Sequence, residues 1–184
     1  MEQYVGETFE PSFCTIFNLT QIHIMKRIFF AFLMFFSVFI FAQMPNISQV
    51  WLNKNEPFFG KIGAENMPMK VYILTSEQDK KNDQEYFVSG YSLVEKVNTK
   101  FEGKIKITKY KDGKKKSTIY GEYDFAEAGN GEHSGVLKGK FIYTFNWNSK
   151  TQAVEGTYIQ FAGNWKNYAN TMDYRTQWNN QISK

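Results

Sequence analysis

The sequence predicts an all-β protein: an antiparallel up-and-down meander of about seven or eight strands, closed into a small barrel, with a short helix at its C-terminal end. Three observations predict it. From Phe58 onward, apolar and polar residues alternate with period two. Turn residues separate the alternating runs at short intervals, and no helical pattern long enough for a parallel crossover lies between them. A glycine also recurs within the runs, among bulky residues two positions away. It appears in Val88-Ser-Gly90, Phe101-Glu-Gly103-Lys-Ile105, Ile119-Tyr-Gly121-Glu-Tyr123, Leu137-Lys-Gly139-Lys-Phe141 and Val154-Glu-Gly156-Thr-Tyr158. Glycine weakens a strand unless the backbone must bend or approach something closely. On the inner face of successive strands it lets a sheet coil tightly enough to close. The alternative for the same glycines is a set of bulges in an open sandwich.

The elements follow in order. Ser48–Pro57 reads as a lead-in anchored by one aromatic, Trp51. Met69, Val71 and Ile73 then alternate with Lys70, Tyr72 and Leu74, a strand expected to be buried on both faces. Ser76–Gln84 holds no apolar residue and is expected to turn. Tyr86–Val94 and Phe101–Tyr110 are the next strands. Lys111-Asp-Gly-Lys114 predicts a tight hairpin, because Asp-Gly supplies the positive φ angles of two-residue turns. Ser117–Phe125 returns from it, and Ala128–Ser134 is a loop. Gly135–Trp147 is long and strongly alternating, with Phe141, Tyr143, Phe145 and Trp147 on one face. Asn148-Ser-Lys150 turns the chain into Val154–Phe161, the last clear strand. In the tail, Trp165, Tyr168, Ala169 and Met172 fall at helical spacing, which predicts a short amphipathic helix capped by Asn164 and packed outside the barrel.

Upstream, Met25-Lys-Arg27 precedes a run of about 14 apolar residues that closes at Ala42, the layout of a secretory signal peptide. The run falls short of the roughly 20 helical residues that span a bilayer. It is followed by Pro45 rather than a cationic cluster, so no retained transmembrane anchor is expected. Ile40 and Ala42 suit the cleavage positions and place the new N-terminus at Gln43. The ending Phe41-Ala-Gln43 resembles signals of Gram-negative envelope proteins, so the expected location is exported, periplasmic or secreted. Glu2, Glu7 and Glu10 have the wrong sign for a targeting segment. Met25 is therefore the expected start, with 1–24 an upstream extension, 25–42 the signal and 43–184 a single barrel domain.

Composition narrows the chemistry. The only cysteine, Cys14, precedes the expected cleavage site, so the domain has no disulfide, thiol nucleophile or thiolate metal site. The whole chain carries a net charge of +4. Beyond Gln43 its cations are lysines except for Arg175, whereas forked phosphate recognition recruits arginine. No nucleic-acid partner is expected.

The segments Phe59-Gly-Lys-Ile-Gly63, Met69-Lys-Val-Tyr-Ile73, Val88-Ser-Gly-Tyr91, Ser134-Gly-Val-Leu-Lys-Gly-Lys140 and Val154-Glu-Gly-Thr-Tyr158 resemble a pattern in exported bacterial domains of lipocalin-like (calycin) type. The resemblance spans about 58–161 and rests on glycine and aromatic spacing. It implies a fold and carries over no catalytic residue.

Candidate constellations are few. His133 is the only histidine after Gln43, which removes two-histidine metal sites, and beside Ser134 in an extended chain it is read as a solvated loop residue. Glu122 and Asp124 share a face opposite Ile119, Tyr123 and Phe125, with Glu127 nearby; a solvated outer face is favoured over a hydrolase pair. No metal and no cofactor are expected. Lys111, Lys114, Lys115 and Lys116 concentrate charge on one hairpin, either to dock on an anionic envelope surface or to keep an edge from pairing. Tyr123, Tyr143, Phe145, Trp147 and Tyr158 are the candidate lining of a pocket for a small apolar or amphipathic ligand, with Trp147 at its mouth. The expected function is thus a non-enzymatic exported barrel that binds such a ligand. The alternatives are a periplasmic interaction, inhibitor or scaffold protein, and a carbohydrate-binding module or hydrolase.

Overall fold

Eight strands pair in sequence order and the last returns to the first. They are β1 (Phe58–Ile62), β2 (Met67–Gln78), β3 (Glu85–Val94), β4 (Val97–Lys111), β5 (Ser117–Glu127), β6 (Gly135–Asn148), β7 (Ala153–Asn167) and β8 (Asp173–Asn179). The computed structural model describes residues 44–181 except Lys114, Lys115, Ser149, Gln152 and the side chain of Ala153. The extension 1–24 and the apolar run 25–42 lie outside the described residues. All pairings are antiparallel, and the β1–β8 seam sets Gly60 against Trp178 and Ile62 against Thr176. Closure leaves the sheet no free edge, which removes the template for pairing with other chains.

Alternation decides what fills the barrel. On β5, Ile119, Tyr123 and Phe125 are buried while Glu122, Asp124 and Ala126 are exposed. Gly60, Gly90, Gly103, Gly121, Gly139 and Gly163 take inward positions on six of the strands. A Cβ on any of them would run into the backbone of the neighbouring strand. Several face a ring across the ladder: Gly60 pairs with Trp178, Gly90 with Phe101, Gly103 with Phe125 and Gly121 with Phe141. Each ring covers the glycine opposite it, so a narrow barrel holds large side chains without splaying its strands. At the centre Phe161 stacks on Trp178 at 3.7 Å between centroids, and Phe58 and Tyr123 meet both edge-on.

One end of the barrel is plugged by the lead-in. Helix α1 (Ser48–Trp51) carries Trp51, fully buried, whose ring packs edge-on against Tyr86, Phe141 and Tyr143. Hydrogen bonds tie this segment to the β2–β3 end: Met44 N–H donates to Asp83 at 2.6 Å and Ile47 N–H to the Tyr86 hydroxyl at 3.2 Å. The anchoring role expected of Trp51 is what the fold uses.

The structure departs from the sequence expectations at five places. The tail is strand rather than helix: β7 runs on through Trp165 to Asn167, and β8 supplies the closing strand. Its Thr176 and Trp178 alternate inward, and pairing on two sides with β1 and β7 outweighs a helical spacing that would have left two sheet edges open. β2 continues through Ser76 to Gln78 in place of the expected turn, because β3 pairs along it as far as Tyr86. That strand is buried on one face only; Leu74 is exposed, since no second layer covers the barrel wall. The β4–β5 connection is the five residues 112–116, not a two-residue turn. There Asp112 Oδ1 accepts from Gly113 N–H at 2.9 Å and from Ser117 Oγ at 2.7 Å, and these bonds hold its carboxyl below the usual range. Finally, Gly156 is exposed with φ +59°, beside the register shift between Thr144 and Asn146, so it serves a bulge rather than the inner face.

Candidate functional site

The end opposite Trp51 is gathered by the β1–β2, β3–β4, β5–β6 and β7–β8 connections, and a cavity of about 290 Å³ opens there. Its wall is largely apolar: Ile62, Met67 and Met69 from β1 and β2, Val94 and Val97 from the β3–β4 hairpin, and Trp165 and Met172 from the β7–β8 side. Three methionines give it adaptable, polarisable walls. The polar groups in the wall are Ser92, Glu95, Thr99, Glu127, His133 and Tyr174.

Glu127 anchors the site. It continues the inward series Tyr123, Phe125 on β5, so the alternation that fills the core carries a carboxylate into the barrel at the strand's last residue. Only 6% of it is exposed. Oε1 accepts from Ser92 Oγ of β3 at 2.9 Å. Oε2 accepts from the Trp165 indole N–H of β7 at 2.6 Å and from Gly135 N–H of β6 at 3.1 Å. One side chain thus ties four strands together at the mouth. Burial pushes its carboxyl above the ordinary value, against the opposing pull of Trp165, Ser92 and Gly135. The Tyr168 hydroxyl adds a 2.7 Å bond to the Glu127 carbonyl, and Trp165 stacks on Tyr174 with its ring planes 8° apart. Buried Asn167 organises the β7–β8 turn by accepting from the N–H groups of Thr171 and Met172 at 2.9 and 3.0 Å.

The residues that the sequence nominated for ligand binding are placed elsewhere and are not gathered into one site. Tyr123 is in the central core; its hydroxyl pKa is raised by burial. Thr176 and Trp178 lie near enough to oppose that rise, yet none of the three polar atoms meets hydrogen-bond geometry with a partner. Tyr143 is buried against Trp51, and burial pushes its hydroxyl up to about 12. Phe145 stacks on Tyr143 at 5.0 Å, half-buried. Trp147 is 59% exposed at the far end of β6, opposite Val154, and Tyr158 is half-buried with its hydroxyl on Gln160 at 3.0 Å. Of the docking lysines, Lys111 and Lys116 are exposed, and Lys114 and Lys115 lie outside the described residues. Their neighbours Lys104 and Lys106 reach Glu85 at 3.6 and 3.2 Å. Glu122 and Asp124 are exposed as expected, and Asp124 pairs with Lys138 at 2.8 Å. His133 is exposed in its loop and contributes to the cavity wall.

Sequence reasoning sets Glu127 near the outer pair Glu122 and Asp124, puts Trp165 in a tail helix and does not nominate Ser92, so it reads none of the three as part of this site. A signal for Glu127 is present: counting by twos from Tyr123 and Phe125 lands on it. The same count lands on Ser92 from Tyr86 and Val88, and on Trp165 from Ile159 and Phe161. What no local signal gives is that the three meet, which they do only because the sheet closes.

These features define a class: a closed eight-stranded antiparallel barrel, plugged at one end, with a mostly apolar cavity around a buried carboxylate at the other. Comparison with protein-family models, with curated proteins and with solved structures found no match to this chain.

Proposed function

We propose that the protein is an exported, non-enzymatic barrel of lipocalin-like (calycin) kind that binds a small apolar or amphipathic ligand in the bacterial envelope. The observation that carries this reading is the cavity of about 290 Å³ at the mouth opposite the Trp51 plug. Concave, mostly apolar sites with a few fixed polar groups are the usual form of small-ligand pockets, and this one falls near their lower size limit of roughly 300 Å³. The signal-like segment 25–42 supports export. A non-enzymatic role is supported by Glu127 being held in place by three structural hydrogen bonds, while Glu122 and Asp124 face solvent.

The test is titration of the purified protein with N-phenyl-1-naphthylamine, a neutral apolar fluorophore. The expected result is saturable binding with one site per chain, abolished by Val94→Trp, which fills the cavity. An absence of saturable binding to the unaltered protein overturns the reading.

A second reading, as a periplasmic interaction or scaffold protein, has its own observation. On the outer face of β2 and β3, Leu74 is 59% and Phe87 45% exposed beside the Tyr72–Tyr91 stack at 4.5 Å. Leu74→Lys with Phe87→Lys would abolish complex formation under that reading and leave fluorophore binding intact.

A further inference from the structure

The charge of the cavity is opposite to that of the molecule. The chain carries 22 Lys and Arg against 18 Asp and Glu, and lysines stand on the outer faces of β4 and β6. Among the described residues the cavity wall, by contrast, includes no lysine and no arginine; its charged members are Glu95 and Glu127, with His133 beside them. A barrel with this exterior would be expected to take an anionic amphiphile, such as a fatty acid, whose head group meets a cation. Here that head group would meet a carboxylate instead.

The geometry points to a ligand with an apolar body and a cationic, hydrogen-bond-donating head, an alkyl or aryl amine, held with its head at Glu127; this assignment rests on the ligand-binding reading above. A carboxylate offers about four acceptor positions. Three are used by Ser92, Trp165 and Gly135, two of them on Oε2, so among the described residues Oε1 has one partner and room for a second donor. The three donors fix the carboxylate before any ligand arrives, so no rearrangement is needed to present it. An ammonium supplies both the missing donor and the countercharge that a buried carboxylate lacks. A carboxylate head would instead set two like charges together in a poorly solvated site. The alkyl body would lie against Met67, Met69 and Val94.

The experiment is calorimetric titration of the purified protein near pH 8 with octylamine, octan-1-ol and octanoate, which share a chain and differ in head group. Octylamine is expected to bind about tenfold tighter than octanol or more, the ratio a charge-assisted hydrogen bond supplies, and octanoate weakest. Glu127→Gln keeps the size of the side chain and removes its charge. It is expected to bring octylamine down to the affinity of octanol while leaving octanol itself little changed. Octanoate binding as tightly as octylamine, or a Glu127→Gln protein that keeps the full amine preference, overturns the inference and leaves the ligand-binding reading standing. If none of the three binds, the inference falls, and the fluorophore titration decides the ligand-binding reading separately. If Glu127→Gln does not fold, the head-group series on the unaltered protein still decides.

Discussion

At the scale of single residues, position on the strand decides what an aromatic ring does. Phe141 and Trp147 sit on one strand and six residues apart, yet Phe141 is 1% exposed against Trp51 and Phe161, and Trp147 is 59% exposed past a register shift. Phe141→Ala should therefore cost about 3–5 kcal/mol of stability through lost burial and a cavity. Trp147→Ala should stay within roughly 0.5 kcal/mol. Urea melts of the two variants side by side check this, and equal losses would contradict the placement of Trp147. Glu127 gives a pH prediction. Its carboxyl is raised in the folded protein by burial, so between the unfolded and folded pKa values the native state binds more protons. Stability from this group is thus greatest below both values and falls as pH rises through the folded pKa. The stability of the unaltered protein minus that of Glu127→Gln should increase on acidification across that window, because the other carboxyls cancel in the difference. A flat or falling difference in urea melts run across that range would show that the hydrogen bonds outweigh burial.

At the scale of elements, the two kinds of strand glycine separate cleanly. Gly139 faces Gly163 across the β6–β7 ladder, and a Cβ on either would collide with the opposing backbone. Gly156 has open space around most of its Cβ direction but a left-handed φ of +59°, with only the Asn146 amide close by. Gly139→Ala is expected to destabilise by roughly 1–3 kcal/mol through overpacking. Gly156→Ala should lose about 1 kcal/mol through backbone strain, and Gly156→Asn less, because asparagine tolerates the left-handed region. Denaturant midpoints of the three variants distinguish sterics from backbone conformation; a neutral Gly139→Ala would mean that β6 and β7 can part at no cost. The same reasoning explains why the tail forms a strand. Helical spacing in Trp165 to Met172 is a local preference, whereas β8 satisfies ladder groups on both β1 and β7.

At the scale of the whole molecule, the barrel has one closed and one open end, and these divide the work. The lead-in around Trp51 belongs to stability, and the mouth around Glu127 is where the proposed ligand binds. The proposed route to the envelope is tested separately from the pocket. Ala42→Phe should block processing of the exported chain, since the small-residue site no longer fits the peptidase, and the mass of the exported protein should then retain 25–42. Unaltered maturation would move the cleavage site.

Much of the barrel is legible in the amino-acid sequence by itself. The period of two, the turn residues and the recurring inner glycines determine an antiparallel closed sheet, because side-chain direction along a strand is a local property that the chain writes out residue by residue. The outward face of Glu122 and Asp124 is legible for the same reason, whereas Trp51 stands out as the one aromatic of a polar lead-in. What only the tertiary structure decides is which end is open and which side chains meet there. Trp147 stands at a strand end, and nothing local says which of the two ends is plugged by a lead-in far upstream in the chain. Glu127, Ser92 and Trp165 come from β5, β3 and β7 and converge only through the registers of the intervening pairings. A pocket is a property of closure, set by contacts distant in sequence, and alternation along one strand carries no record of it.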